Sequence, residues 1–233
     1  MQLDVRDLAD FYQTPLGLVA RRIIAQPLRR FWPDMQGRRL LGYGFAPPYL
    51  NEFSGDAERI IAAMPARTGI AAWPAEKNRA VLVEEDALPF PDAFFDRILV
   101  VHGLEGAEAL RPLLRQLWRV LAPEGRLAVV APNRASLWAQ VERSPFASGR
   151  PFRRGELDGL LREAMFIPEA WSRALYAPPL LRRSFLRDGV NWERLGRLCW
   201  PGLAGVHIAE ASKSLYAPAA VTPTPSGSHL VPA

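Results

Sequence analysis

Apolar residues recur along this chain in two rhythms. Across residues 4–31, Leu8, Phe11, Tyr12, Leu16, Val19, Ile23, Ile24 and Leu28 return every three or four positions, with Arg21, Arg22, Arg29 and Arg30 on other faces. That period predicts amphipathic helix. Thr14-Pro15 divides it, because the residue before a proline avoids the helical region. Further on, short unbroken apolar runs bounded by Gly, Pro and Asp predict strands at residues 38–43, 68–73, 79–83, 98–101, 126–131, 166–176 and 205–216. Helical spacing returns over 56–64, 107–122, 134–142 and 153–165, and an Arg-rich amphipathic region fills 180–200. Pro47-Pro48 opens one more short helix, since proline suits a first helical turn.

Strands alternating with helices predict an α/β fold, a doubly wound and mostly parallel sheet with the last strands forming an antiparallel edge. The loop at 74–78 is too short for a crossover helix. The reading divides the chain into a helical extension (1–35), an α/β domain (36–216) and a Pro-, Ser- and Thr-rich tail (217–233) that reads as disordered.

Composition narrows the function classes. The 49% apolar content suits a folded core. Arg carries nearly all of the positive charge behind the net +5, the lysines being Lys77 and Lys213. This excess, without a basic motif, gives little support to a nucleic-acid partner. One cysteine, Cys199, excludes an internal disulfide and a Cys-based zinc cluster, and His102, His207 and His229 lack ligand spacing. The charged first residues do not form a signal peptide, and no apolar run reaches the ~20 residues of a membrane span. A cytoplasmic protein is the expectation, with a protein partner left open.

Ligands of parallel sheets bind beyond the carboxyl ends of the strands. Glu85-Asp86 and His102-Gly103 fall at such ends, as does Gly42-Tyr43-Gly44-Phe45-Ala46. Glycines there allow a tight turn and a close ligand approach. His102 can serve as a general base near neutral pH or as a pocket wall. Asn133, after the strand at 126–131, reads as a helix cap. Phe11, Tyr12, Phe146, Phe152, Trp171 and Tyr176 are candidates for a lid.

Three blocks together resemble the class I S-adenosylmethionine-dependent methyltransferases of the type 11 group. They are Glu85-Asp86-Ala87-Leu88-Pro89-Phe90-Pro91-Asp92-Ala93-Phe94-Phe95-Asp96, the stretch from Leu114 to Leu127 containing Leu121-Ala122-Pro123-Glu124-Gly125, and Leu41-Gly42-Tyr43-Gly44. The likeness covers about residues 36–216. It implies a seven-stranded sheet with an antiparallel last strand, S-adenosylmethionine as cofactor and a small-molecule methyl acceptor. It also implies that Gly42, Tyr43, Gly44 and Phe45 wrap the cofactor, that Asp86 takes its exocyclic amine, and that the amide of Ala87 meets the adenine ring beside Leu88. His102 and Gly103 would line the wall near the methyl group.

Three departures stand out. The acid that precedes the glycine loop in the family is Leu40 here, and Ala46 replaces a third glycine. The family's ribose-binding carboxylate has no counterpart in Ala71-Ala72-Trp73-Pro74, where Trp73 either stacks on adenine or packs in the core. Losing that carboxylate costs roughly ten- to a hundredfold in affinity unless other groups compensate. These departures motivate a second reading, a catalytically inactive interaction or regulatory protein on the same fold.

Overall fold

A computed structural model describes residues 4–141, 144–179 and 189–215. Its centre is a seven-stranded sheet in the order β3-β2-β1-β4-β5-β7-β6. The strands are β1 (Arg39–Gly44), β2 (Arg59–Pro65), β3 (Ala80–Val83), β4 (Phe95–Val101), β5 (Leu121–Pro132), β6 (Phe166–Ala174) and β7 (Val206–Lys213). β1 to β5 pair in parallel, and β7 runs antiparallel between β5 and β6. Two apolar clusters cover the two faces. Side chains alternate faces along each strand, so Leu99 and Val101 enter one cluster while Ile98 and Val100 enter the other.

Helices α1 (Val5–Gln13) and α2 (Pro15–Phe31) cover the first face. Thr14 separates them, with an extended backbone (φ −69°, ψ 155°) and a hydroxyl that accepts from the Gly17 amide. One residue thus ends one helix and caps the next, as Thr-Pro predicted. The other face carries α4 (Leu110–Val120) and α5 (Arg154–Glu163), whose Leu113, Leu114, Leu117, Leu157 and Leu161 are fully buried. The short α3 (Pro47–Leu50) follows β1, and α6 (Gly189–Cys199) precedes β7.

Three expectations are corrected. Residues 56–64 form β2 rather than a helix: Ile60, Ile61 and Met64 fit helical spacing, but the segment pairs with β1 and β3. Residues 68–73 are then a loop and not a strand, and the connection from β2 to β3 contains no helix. Residues 134–142 contain only a short 3-10 turn at Leu137–Ala139, with residue 142 outside the described residues.

Gly125 is required by packing and not by backbone conformation. It follows α4 within β5, and its φ is not positive. A Cβ there would lie 2.5 Å from the Leu121 side chain, so close packing requires the glycine. The tail at 217–233 lies outside the described residues. No helix among the described residues is long and apolar enough to cross a membrane.

Candidate active site

Strand β4 carries its buried run to the carboxyl edge of the sheet, and His102 follows it. The φ of His102 is +50°, a left-handed conformation that few non-glycine residues adopt. Strain of this kind persists only where the surroundings hold it. Here they do. The imidazole Nδ1 lies 3.0 Å from Glu105 Oε1, and Nε2 lies 2.9 Å from the Tyr12 hydroxyl. That hydroxyl is 2.9 Å from the hydroxyl of Tyr49.

A carboxylate only accepts, so Nδ1 donates to Glu105 and leaves Nε2 to accept from Tyr12, which accepts in turn from Tyr49. The polar chain therefore has one consistent direction. All four residues are buried, His102 at 3% and Glu105 at 4% exposure. Burial and the neighbouring Tyr49 raise the pKa of Tyr12 well above its ordinary value, so its phenol stays protonated. Glu105 Oε2 has no hydrogen-bond partner among the described residues.

Each member arrives from a different element. α1 delivers Tyr12, and its first turn is tied down by the Val5 amide donating to Thr68 O after β2, at 2.8 Å. Tyr49 comes from α3. Glu105 is held from behind by the Arg150 amide, which donates to its carbonyl at 2.7 Å. Aromatic rings close the chain in. Phe45 stacks on Tyr12 at 5.9 Å, Phe146 lies 5.0 Å from His102, and Phe11 meets Phe146 edge-on. Of the six expected lid aromatics, Phe11, Tyr12 and Phe146 gather here. Phe152 and Trp171 pack with the opposite face, and Tyr176 stands beside Arg173 and Arg197.

The turn after β1 lies beside this chain. Gly44 has φ +82°, and a Cβ would fall 2.3 Å from Val101 O and 2.9 Å from Gly103 N. Only glycine lets the turn approach the end of β4 this closely. The Phe45 amide seals the contact by donating to Val101 O at 2.7 Å. Gly42 is buried under Ala46 and Leu50. Leu40, at the position where the family has an acid, is fully buried in the apolar core.

Tyr43 points to the other face, where its ring contacts Gly103. Its buried hydroxyl has no partner among the described residues, and burial, reinforced by Glu85 and Glu84, holds it protonated.

Beyond β3, Glu84 to Ala87 form a turn, with Asp86 exposed. The Ala87 amide is only 3.4 Å from Glu84 O, and the amide of buried Leu88 donates to Gln116 at 3.3 Å. Glu85 accepts from the Glu108 amide at 3.0 Å, joining the ends of β3 and β4.

Trp73 is not at a strand end. It lies in the loop after β2, packed in the first core, with its indole N–H donating to Asn51 at 3.0 Å. β2 ends at Pro65, followed by Ala66 and Arg67, so no carboxylate stands at its end. Asn133 is 3% exposed. It caps locally by accepting from Ala135, and it ties the approach to β7 by donating to Gly202 O and Ala204 O. Among the described residues no His, Cys, Asp and Glu group is arranged to hold a metal ion.

Sequence reasoning singled out His102 but missed its partners. Glu105 is three residues away, yet its pairing depends on the unusual backbone of His102. Tyr12 and Tyr49 lie 90 and 53 residues from it in sequence, and nothing local marks them.

Comparison with known proteins agrees with this geometry. The methyltransferase domain family of type 11 matches residues 41–129. A demethylmenaquinone methyltransferase of Thermus thermophilus is 29% identical over 180 residues, 75% of this chain and 72% of that protein. A ubiquinone/menaquinone biosynthesis C-methyltransferase of Pectobacterium carotovorum is 46% identical over 50 residues, a fifth of its own length.

Among solved structures, a methyltransferase of Thermotoga maritima covers 90% of this chain and 96% of its own at a TM-score of 0.64 and 17% identity. One of Archaeoglobus fulgidus covers 90% and 100% at 0.61 and 18%. At that identity these structures speak for the fold alone. By its strand order, its glycine turn against β4 and these matches, the chain has the class I methyltransferase fold and is similar over residues 41–129 to the methyltransferase domain family of type 11.

Proposed function

We propose that the protein transfers a methyl group from S-adenosylmethionine to the ring of a small hydroxylated aromatic acceptor of the quinol type. The observation that carries this reading is the buried chain Tyr49–Tyr12–His102–Glu105 at the carboxyl ends of β1 and β4. A sulfonium methyl is electrophilic enough that many acceptors need alignment alone. A hydroxylated ring attacking through carbon must also lose its hydroxyl proton, and a polarised histidine can take it.

The residues present suit the cofactor at its adenine end and beside the glycine turn. Exposed Asp86 and the Tyr43 hydroxyl, unpartnered among the described residues, offer polar groups near the end of β3, and the Gly44 turn lets a ligand lie against bare backbone. The ribose finds no carboxylate after β2, so binding is weaker than in relatives that have one. When bound, S-adenosylmethionine supplies a methyl group on a positively charged sulfur. The acceptor hydroxyl donates to Tyr12, and Tyr12 passes its proton to His102 Nε2. Glu105 holds Nδ1–H and balances the imidazolium that results. The ring carbon takes the methyl group as the methyl's bond to sulfur breaks; the ring hydrogen then leaves as a proton to bulk water, and His102 returns its proton through Tyr12 to the ring oxygen as aromaticity returns. Phe11, Phe45 and Phe146 supply an apolar wall that excludes water.

The 29% identical relative named as a demethylmenaquinone methyltransferase supports this acceptor class. Nothing in the fold or these relatives speaks for the inactive alternative. The test is transfer of labelled methyl from S-adenosylmethionine to demethylmenaquinol and to simple naphthoquinols. Turnover of a quinol by wild type, abolished in His102→Gln, is the expected result. Undetectable binding of S-adenosylhomocysteine at millimolar concentration would refute the enzyme reading, whereas binding without quinol turnover would refute the acceptor class alone.

A further inference from the structure

The face of the sheet opposite His102 holds a cavity of about 390 Å³, lined by Arg154, Trp171, Ser172, Arg173, Tyr176 and Arg197. Trp171 packs with the core under α4 and α5, and Arg173, two residues on, shares its face. Arg154 opens α5 and lays its guanidinium 4.9 Å over the Trp171 ring. Arg173 is anchored by donating to Pro201 O at 2.7 Å. Arg197 is brought in by α6, whose Gly196 sits so close to Tyr176 that a Cβ would fall 2.4 Å from that side chain.

Among the described residues these guanidiniums have no carboxylate counter-ion within 4.0 Å, whereas Arg111, Arg119, Arg126, Arg134 and Arg162 each have one. Glu193 lies near Arg197, but it is buried and spends its oxygens on the backbone amides of Tyr176, Ala177 and Leu175. Converging like charges repel, and a water-exposed basic face would spread them rather than gather them round a concavity.

Beside these arginines lies an unmet polar group as well. His207 pairs across β6 and β7 with Arg173, on the same face, and is 4% exposed. Neither ring nitrogen has a hydrogen-bond partner among the described residues. A buried polar group left unsatisfied is costly and calls for a ligand or another role. Burial pushes its pKa down to about 4, and Arg173 and Arg154 push in the same direction, so the ring stays neutral beside the arginines. The helix that brings in Arg197 is apolar on its exposed surface: Leu195, Leu198, Trp200 and Leu203, on α6 and the turn after it, are 46%, 82%, 51% and 44% exposed.

We propose that this cavity is a binding site for a phosphate-bearing amphipathic ligand, the phosphate held by Arg154, Arg173 and Arg197 and the apolar part lying along Leu195, Leu198 and Trp200. Guanidinium forks match phosphate oxygens in geometry and charge. The aromatic walls give the cavity shape, and the exposed leucines explain why charge and apolar surface are adjacent. The site lies on the other face of the sheet from Tyr12 and His102. Its ligand is therefore an anchor or effector and not the group that receives the methyl. The inference stands independently of the methyl acceptor.

The test uses the full chain at low salt. Sodium pyrophosphate is titrated calorimetrically, and vesicles of phosphatidylglycerol or phosphatidylcholine are sedimented with the protein. Wild type binds pyrophosphate saturably, and Arg197→Gln weakens this by about tenfold, the value of one charge-assisted hydrogen bond. Arg162→Gln, whose side chain pairs with Asp158 elsewhere on α5, leaves binding unchanged.

If the phosphate comes from a lipid headgroup, phosphatidylglycerol vesicles carry the protein down, phosphatidylcholine vesicles do not, and Leu198→Gln weakens only vesicle binding. If it is a soluble ester, pyrophosphate alone binds. Arg173→Gln tests the centre of the cavity, and the exposed Arg197 guards against a variant that fails to fold. Absence of saturable binding in both arms, or binding untouched by Arg197→Gln and Arg173→Gln, would overturn the site.

Discussion

Two buried histidines stand at the carboxyl edge of this sheet, and their surroundings differ in every respect that decides chemistry. His102 is 3% exposed and His207 is 4%. His102 has a partner on each nitrogen, a strained backbone and aromatic walls. His207 has no partner among the described residues, lies in a regular strand and faces arginines. Burial alone says little about a histidine's role. Partners do: a carboxylate on Nδ1 fixes the tautomer and supports a positive charge, whereas arginines oppose one. The first environment suits proton transfer, and the second suits a neutral ring beside an anion.

The comparison can be broken in several ways. The largest expected effect concerns the support for His102. Gly44→Ala forces a Cβ against Val101 O at a φ of +82° and should destabilise the fold by about 2–5 kcal/mol. Gly106→Ala, where nothing lies within 4 Å, should stay within about 0.5 kcal/mol. Denaturant midpoints of the two variants compare them directly.

His207 predicts a pH slope. Its unfolded form takes up a proton near pH 6.5, while the folded form resists until about pH 4. Stability therefore falls as the pH drops through that window, by about 3 kcal/mol in phosphate-free buffer. His207→Gln should flatten this part of the profile, measured by urea unfolding between pH 7 and pH 4. An unchanged slope would mean that the ring is not held neutral.

Next comes the cofactor end. Asp86→Ala should weaken S-adenosylhomocysteine by about 1.5–3 kcal/mol, roughly ten- to a hundredfold, if the carboxylate takes the exocyclic amine. Equal affinity in calorimetry would remove Asp86 from the site. The smallest effect is expected at the far end of the polar chain. Tyr49→Phe removes one hydrogen bond and should cost about 0.5–1.5 kcal/mol of stability with little change in transfer rate.

Much of the fold was legible because its strands are short apolar runs with strong punctuation. β1, β3, β4, β6 and β7 fall close to where the pattern placed them, and Thr14-Pro15 marked the break between α1 and α2. β2 was misread because Ile60, Ile61 and Met64 satisfy a helical period as well as a buried strand does over so short a window. Its pairing between β1 and β3, a long-range fact, decided the matter. That error carried the expected ribose site to Trp73, which packs against Asn51 instead. In the candidate site, the placement of His102, Asp86 and Gly44 at strand ends was legible from the pattern. The chain joining His102 to Tyr12 and Tyr49 was not, because it depends on α1 folding back over the sheet.

The most direct measurement sets the two histidines against each other. Single-turnover methyl transfer from S-adenosylmethionine to a quinol acceptor is followed in wild type, His102→Gln and His207→Gln, with S-adenosylhomocysteine affinity measured in parallel. If His102 takes the acceptor's proton, its variant loses about 10²–10⁴ in rate at nearly unchanged affinity, and the His207 variant transfers at the wild-type rate. Equal rates in the two variants would contradict the account.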